Sequence, residues 1–160
     1  MLRNATNLLT KWNARKNRKP LIVWGARQVG KTYLVKDIFA EEYYSNSYIY
    51  IDFKIEDEIR DFCDHTANAE KIIEYICLYK GKDITKNTLL IFDEIQECPN
   101  ALNSLKYFQE EANEYHIACA GSLLGIRLSH TSFPVGKVDF LDMYPMTFSE
   151  FLIADNCENL

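Results

Sequence analysis

Residues 25–32 of this 160-residue chain read Gly-Ala-Arg-Gln-Val-Gly-Lys-Thr, which matches the pattern G-x-x-x-x-G-K-[ST]. The two glycines let the backbone curl so that successive N–H groups point inward. Together with the positive end of a following helix, these groups bind phosphate. Such a loop needs a strand before it and a helix after it. Both are predicted here, because 21–24 is an apolar segment after Pro20 and 31–42 carries apolar residues at helical spacing.

The side chains of this loop predict how a nucleoside triphosphate and Mg²⁺ would be held. Lys31 is expected to reach the β- and γ-phosphate oxygens, and the Thr32 hydroxyl is expected to ligate Mg²⁺. Arg27 either contacts phosphate or points into solvent, and the sequence leaves both alternatives open. The predicted nucleotide-binding residues are Gly25, Ala26, Arg27, Gln28, Val29, Gly30, Lys31, Thr32 and Tyr33.

A second pattern is the apolar run 89–92, which ends in the carboxylates Asp93 and Glu94. Asp93 is expected to hold Mg²⁺ through a water molecule. Glu94 is expected to orient and polarise the attacking water as a general base. Alone, two acids after an apolar run also fit a strand that ends in a solvated turn. Their position after the phosphate loop, with a predicted strand and helices between, favours the catalytic interpretation.

Gly121 and Ser122 follow a further predicted strand at 116–120. A small polar residue there can contact the γ-phosphate or the attacking water, so Ser122 joins Glu94 and Lys31 as a predicted catalytic residue. A tight turn that requires glycine explains the pair equally well. Arg127 and Lys137 are predicted to lie near the nucleotide edge, where either could supply charge to a neighbouring subunit, as an arginine finger does.

Strand-like and helix-like segments alternate along the chain. Strands are predicted at 21–24, 47–53, 88–92 and 116–120, with 138–141 as a candidate fifth, and helices at 2–13, 31–42, 69–79, from Pro99 and from near Thr147. This alternation predicts an α/β fold with a mostly parallel sheet and helices on both faces. Ligands bind such sheets at the carboxyl ends of the strands. The three motifs are therefore expected to converge on one edge.

The composition is that of a soluble globular domain, with 48% hydrophobic and 26% charged residues and a formal net charge of −5. This negative net charge argues against binding to nucleic acid that is mainly electrostatic. One basic segment precedes the first strand, and it is interpreted either as a solvated helix end or as a phosphate contact. Its members are Lys11, Arg15, Lys16, Arg18 and Lys19.

Five cysteines are scattered along the chain without a C-x-x-C pair, so no zinc or redox motif is indicated. Dispersed thiols are typical of the cytoplasm. No apolar run is long enough to span a membrane, and the N-terminus lacks a signal peptide. A cytoplasmic protein without membrane association is therefore predicted.

Motifs beyond the phosphate loop complete the pattern: L-L-I-F-D-E-I-Q at 89–96, A-G-S-L-L-G at 120–125, F-P-V-G-K-V at 133–138 and Y-P-M-T-F-S-E-F-L at 144–152. Together with G-A-R-Q-V-G-K-T at 25–32, they resemble the AAA-like ATPase domain of a large prokaryotic family of ATP-binding proteins. The resemblance implies a five-stranded parallel sheet and the roles given above for the phosphate loop, Asp93 and Glu94. It also implies that Ser122 occupies the sensor position after the fourth strand.

The chain departs from that family pattern in two respects. Members typically carry a second domain after the ATPase core, whereas this chain stops soon after Leu152. Residues 1–160 are therefore expected to be one AAA-like core, beginning with a helix and basic segment at 1–19 and lacking the C-terminal domain with its lid and sensing arginine. Many relatives have Gly-Arg at positions 136–137, where this chain has Gly-Lys, and lysine lacks the planar fork of arginine.

The leading functional hypothesis is a Mg²⁺-dependent ATPase whose hydrolysis drives a conformational change in an attached domain or partner. One alternative is a nucleotide-gated binding module with little turnover. Another is a P-loop kinase, although a water-activating glutamate suits hydrolysis better. Nucleic-acid remodelling rests only on the basic segment and on analogy. ATP is favoured over GTP because no N/T-K-x-D motif occurs, and a homo-oligomer or partner is expected if hydrolysis needs a finger in trans.

Overall fold

The computed structural model describes residues 4–45, 47–122 and 136–154. Its centre is a five-stranded sheet with the order β2-β3-β4-β1-β5, in which every pairing is parallel. The strands are β1 (Leu21–Gly25), β2 (Tyr48–Asp52), β3 (Leu89–Asp93), β4 (His116–Ser122) and β5 (Asp139–Met143). The predicted α/β class with a parallel sheet is confirmed, and the candidate fifth strand is the edge strand next to β1.

Helices lie on both faces of the sheet. They are α1 (Asn4–Asn13), a π-helical segment (Tyr33–Ala40) that continues into α2 (Glu41–Tyr44), α3 (Asp57–His65), α4 (Ala69–Lys80), a 3₁₀ turn (Ile95–Glu97), α5 (Pro99–Glu111) and α6 (Phe148–Ala154). Helix α3 was missed from the sequence because it buries only Ile59 and Cys63, too few side chains to set a period. No helix in the described ranges is both long and apolar enough to cross a membrane.

Strands β1 to β4 alternate between two hydrophobic clusters, one on each face of the sheet, whereas β5 contributes to only one of them. Ile22, Leu90 and Phe92 belong to the cluster that α3, α4 and α5 complete. Val23 and Ile91 belong to the cluster that α1 and the π-helical segment complete. Because both faces are covered, the central strands are apolar throughout, as the sequence patterns indicated.

The strand register aligns the ends of the strands that carry the predicted site. Gly25 at the end of β1 is level with Ser122 of β4 and with Met143 of β5. Asp52 at the end of β2 is level with Asp93 of β3. The carboxyl edge of the sheet therefore brings together the three motifs, as predicted from chain order.

Gly25 is required by a close backbone approach. A Cβ atom at this position would lie 2.1 Å from the Met143 carbonyl oxygen, and φ is +157°. We expect Gly25→Ala to lower the free energy of unfolding by about 3 kcal/mol or more, since backbone must move to admit the methyl group. Gly81→Ala is the matched control: φ is +61° there, but no atom lies within 4 Å of the added Cβ. Its cost should be about 1–2 kcal/mol, because alanine must then adopt a left-handed backbone conformation. Equal losses in urea denaturation would contradict the steric argument.

The basic segment lies at the amino edge of the sheet, and three of its five members are held within the fold. Arg15 pairs with Asp139 at 3.0 Å. The Lys19 ammonium donates to the Gly136 carbonyl oxygen over 2.7 Å. Arg18 contacts the His116 ring and lies over the Trp12 ring. These contacts favour the structural interpretation of the segment over a phosphate contact.

His116 is held as a neutral ring between Arg18 and Tyr44. The Arg18 guanidinium contacts Nε2, and the Tyr44 hydroxyl lies 2.8 Å from Nδ1. Since arginine stays protonated, Nε2 must accept and Nδ1 must carry the ring proton. Burial, and secondly the Arg18 charge, lower the pKa of His116 from 6.5 to about 4.

This shift predicts a pH dependence of stability. Between pH 6.5 and about 4 the unfolded chain binds a proton at His116 that the folded chain excludes, so stability is complete above this window and falls as the pH drops through it. Discounted for the partial exposure of the ring, the loss is about 1–2 kcal/mol. The His116→Gln variant should lose correspondingly less stability over the same window in urea titrations. Parallel pH profiles for the two proteins would contradict this assignment.

Candidate functional site

The loop 25–32 connects β1 to the π-helical segment at the carboxyl edge, as predicted. The Lys31 ammonium folds back and donates to the Ala26 carbonyl oxygen over 2.6 Å. Gly30 has a φ of +89° and Gln28 a φ of +62°. A left-handed backbone at a non-glycine residue costs about 1 kcal/mol or more, and such strain concentrates at binding sites. The loop therefore folds back on itself through two residues with positive φ, and the Lys31 side chain closes over it.

Lys31 lies among charges of both signs. Burial lowers the pKa of Lys31, the Glu94 and Asp93 carboxylates oppose this shift, and Arg27 adds to it. The ammonium contacts carbonyl oxygens that a phosphate group could replace with charge-assisted hydrogen bonds, which are about twice as strong. Its position therefore suits an anion at the mouth of the loop.

Asp93 is buried at the end of β3, with 4% of its surface exposed. Its Oδ2 atom accepts hydrogen bonds from the Thr32 and Tyr50 hydroxyls, each over 2.7 Å, and Oδ1 accepts the Glu94 N–H over 2.9 Å. Burial, and then the bond to Asp93, raise the pKa of Tyr50, which keeps this phenol a donor. Tyr50 was not singled out from the sequence; its partner is far away in the chain and becomes its neighbour only through the pairing of β2 with β3.

Glu94 adopts a left-handed backbone conformation, with φ +49° and ψ +42°, where the chain leaves β3 for the 3₁₀ turn. Its carboxylate accepts a hydrogen bond from the side-chain amide of Gln96. The amide oxygen of Gln96 in turn accepts the Ser122 N–H over 3.1 Å. Gln96 is the last residue of the motif at 89–96, but sequence reasoning assigned it no role, although it joins two residues that were predicted.

A cavity of about 570 Å³ opens at this edge, which is within the roughly 300–1,000 Å³ usual for small-molecule sites. The predicted residues that line it are Arg27, Gln28, Gly30, Lys31, Thr32, Tyr33, Glu94 and Ser122. Lys54, which follows β2, and Glu97 also line the cavity and were not predicted. Two other predicted residues do not line the cavity. Asp93 accepts a hydrogen bond from Thr32, which does line it, and Val29 packs against a hydrophobic cluster.

The oxygen atoms of Thr32 and Asp93 fit a Mg²⁺ ion. Magnesium is usually held by one or two carboxylates together with substrate phosphates and water, rather than by a cage of protein ligands. In the described part of the chain, no three His, Cys, Asp or Glu residues are grouped as a metal cage. One hydroxyl and one carboxylate, joined at 2.7 Å beside the loop, are the donor set that this chemistry needs.

The placement of Lys137 near the nucleotide edge is wrong. Lys137 precedes β5 at the amino edge of the sheet and forms an ion pair with Glu110, with 2.8 Å between Nζ and Oε1. A parallel strand begins at the opposite edge from the phosphate loop, so a residue just before β5 lies a full strand length from the site. Arg127 lies outside the described residues. A contact of either residue with a neighbouring subunit stays a prediction.

The parallel strand order, the loop after β1 and the two carboxylates at the end of β3 define a P-loop ATPase fold. A family model described as an AAA domain matches residues 17–152, and the chain belongs to that family. The resemblance drawn from the sequence motifs is thereby confirmed. No curated protein matches the chain.

Solved structures share this fold. The Walker-type ATPase PABY2304 of Pyrococcus abyssi has a TM-score of 0.59 at 16% identity, with 96% of this chain and 57% of that chain covered. AMPPCP-bound DnaA from Aquifex aeolicus has a TM-score of 0.59 at 18% identity, with coverages of 97% and 50%. A DNA replication initiation factor has a TM-score of 0.54 at 15% identity, with coverages of 96% and 48%. The chain spans about half the length of these proteins.

Proposed function

We propose that this chain binds Mg·ATP at the carboxyl edge of its sheet and hydrolyses it, and that hydrolysis drives a conformational change in an attached domain or partner protein. The observation that carries the proposal is the convergence of Lys31, Thr32, Glu94 and Ser122 on one cavity, with Asp93 bonded to Thr32. Membership of the AAA domain family supports ATP as the nucleotide.

Binding of the triphosphate uses the loop and the start of the helical segment. Backbone N–H groups in the first turn of a helix have no intrahelical partners and point toward the phosphates. Lys31 exchanges its carbonyl contacts for the β- and γ-phosphate oxygens. Arg27 and Lys54 add positive charge to the same cavity. These groups offset the charge of the substrate and fix its γ-phosphate near Glu94.

Thr32 and Asp93 are the residues that would hold Mg²⁺. When bound, the ion neutralises the charge on the β- and γ-phosphate oxygens. The Tyr50 hydroxyl keeps Asp93 in one orientation, because it donates to the same oxygen as Thr32. The carboxylate is therefore preorganised before substrate arrives.

Glu94 acts as the general base. It accepts a proton from a water molecule whose oxygen attacks the γ-phosphorus, while the bond from that phosphorus to the β-phosphate oxygen breaks. The products are ADP and inorganic phosphate. Ser122, at the end of β4, also lines the cavity and contacts the γ-phosphate or the attacking water.

The proposal is tested by titrating the protein with Mg·ATP in a calorimeter and measuring phosphate release on the same samples, with EDTA and Mg·GTP as controls. We expect binding and release with Mg·ATP, loss of both with EDTA, and weaker binding of Mg·GTP. Binding without release would indicate a nucleotide-gated binding module instead. Absence of binding would contradict the proposal altogether.

A further inference from the structure

We propose that Gln96 is a positioning residue for hydrolysis: it holds the Glu94 carboxylate in place and ties that position to the end of β4. The inference rests on the proposed ATPase function. It adds to that function a residue that does not touch the substrate, together with a route by which the state of the phosphate site reaches the general base.

The hydrogen bonds of Gln96 fix the orientation of its amide. The Ser122 N–H can only donate, and an ionised Glu94 carboxylate can only accept. The amide must therefore present its oxygen to Ser122 and its NH₂ group to Glu94, as the structure has it. The reversed amide would oppose donor to donor and acceptor to acceptor, so no flipped alternative satisfies both neighbours.

Among the described residues, the Glu94 carboxylate has few other contacts that could hold it in one position. Its backbone turns sharply at a left-handed residue, and its side chain is half-exposed at the cavity wall. Within residues 4–45, 47–122 and 136–154, no other side chain hydrogen-bonds to the carboxylate. A free glutamate side chain has up to about 2 kcal/mol of rotamer entropy. A general base displaced by about 1 Å can lose on the order of 100-fold in rate.

The second bond connects Glu94 to the phosphate loop. Ser122 ends β4 and is level with Gly25, the first residue of the loop. A displacement of β4 or of the loop would therefore move the Gln96 amide, and with it the Glu94 carboxylate to which that amide is bonded. In this arrangement, contact of Ser122 with the γ-phosphate and alignment of the general base are coupled events.

Two substitutions separate the two bonds. Gln96→Ala removes both, whereas Gln96→Glu keeps an acceptor for the Ser122 N–H but offers a carboxylate, with no donor, to Glu94. The matched control is Gln109→Ala on α5. Gln109 is also half-buried, and its amide oxygen accepts a single bond from Asn113 over 2.7 Å, away from the cavity.

We expect both Gln96 variants to lower kcat by about 10- to 100-fold while the Kd for Mg·ATP changes by less than about threefold. Amide exchange at Ser122, followed by NMR, should quicken in Gln96→Ala and stay unchanged in Gln96→Glu. Gln109→Ala should leave kcat, Kd and Ser122 exchange as in the wild type.

Wild-type turnover that survives both Gln96 substitutions would overturn the inference and leave the ATPase proposal intact. The inference would also fall if kcat, affinity and melting temperature declined together, since that pattern indicates a merely structural role. Wild-type protein that binds Mg·ATP without releasing phosphate would contradict the proposed function, and this inference with it.

Discussion

The Lys31→Ala variant is expected to bind Mg·ATP about 100-fold more weakly than the wild type, and to show no measurable phosphate release at substrate levels that saturate the wild type. The physical reason is the loss of charge-assisted hydrogen bonds to the β- and γ-phosphates, each of which contributes about 1.5–3 kcal/mol. Arg27 and Lys54 line the same cavity, but the Ala26 carbonyl oxygen that the Lys31 ammonium contacts cannot take over its role as a donor to phosphate. Calorimetry measures the change directly.

The control for this variant is Lys71→Ala, which removes an exposed lysine from α4. It changes the net charge by the same amount, so it reports any general electrostatic effect. We expect its affinity for Mg·ATP to stay within about twofold of the wild type, because exposed charges at a distance are screened by salt. Similar losses in the two variants would show that Lys31 has no direct contact with phosphate.

The Glu94→Gln variant is expected to lower kcat by about 100- to 10,000-fold while leaving the affinity for Mg·ATP within about threefold of the wild type. An amide has the shape of the carboxylate and can still accept the bond from Gln96, but it cannot take a proton from water. The loss should therefore appear in the chemical step alone. Phosphate release under saturating Mg·ATP, together with calorimetry, separates the two quantities.

Glu97→Gln is the matched control, because Glu97 lines the same cavity and is exposed. The same atoms change and the same charge is lost, at a carboxylate to which no catalytic role is assigned. Its kcat should stay within about threefold of the wild type. If the two variants lost equal activity, the charge of the cavity and not proton transfer would explain the effect of Glu94.

The sequence predicted the parts of this structure that depend on contiguous residues. The loop 25–32, the strand that ends at Asp93 and the helix that begins at Pro99 each carry their signal within one element. Strand polarity then placed Gly25, Asp93 and Ser122 on one edge, because parallel strands share the direction of their carboxyl ends. This part of the prediction needed no knowledge of side-chain contacts.

What the sequence did not reveal depends on contacts between elements. Tyr50 read as an ordinary strand residue until the pairing of β2 with β3 brought its hydroxyl to Asp93. Gln96 acts through an amide whose partners come from two different strand ends. No periodicity or spacing rule contains these two facts. Lys137 is a different case, because the parallel direction of the candidate fifth strand already places a residue just before it at the amino edge.

Gly25, at the start of the phosphate loop, packs directly against the backbone of Met143, at the end of β5. There is no room for even a methyl group between them, so the two backbones are in direct contact at this point. We therefore expect a rearrangement of the loop to displace the end of β5, and with it Tyr144 and Pro145, where the chain leaves the sheet toward α6. The connection from the loop to the segment before α6 therefore runs through backbone atoms of β5, with no side chain in between.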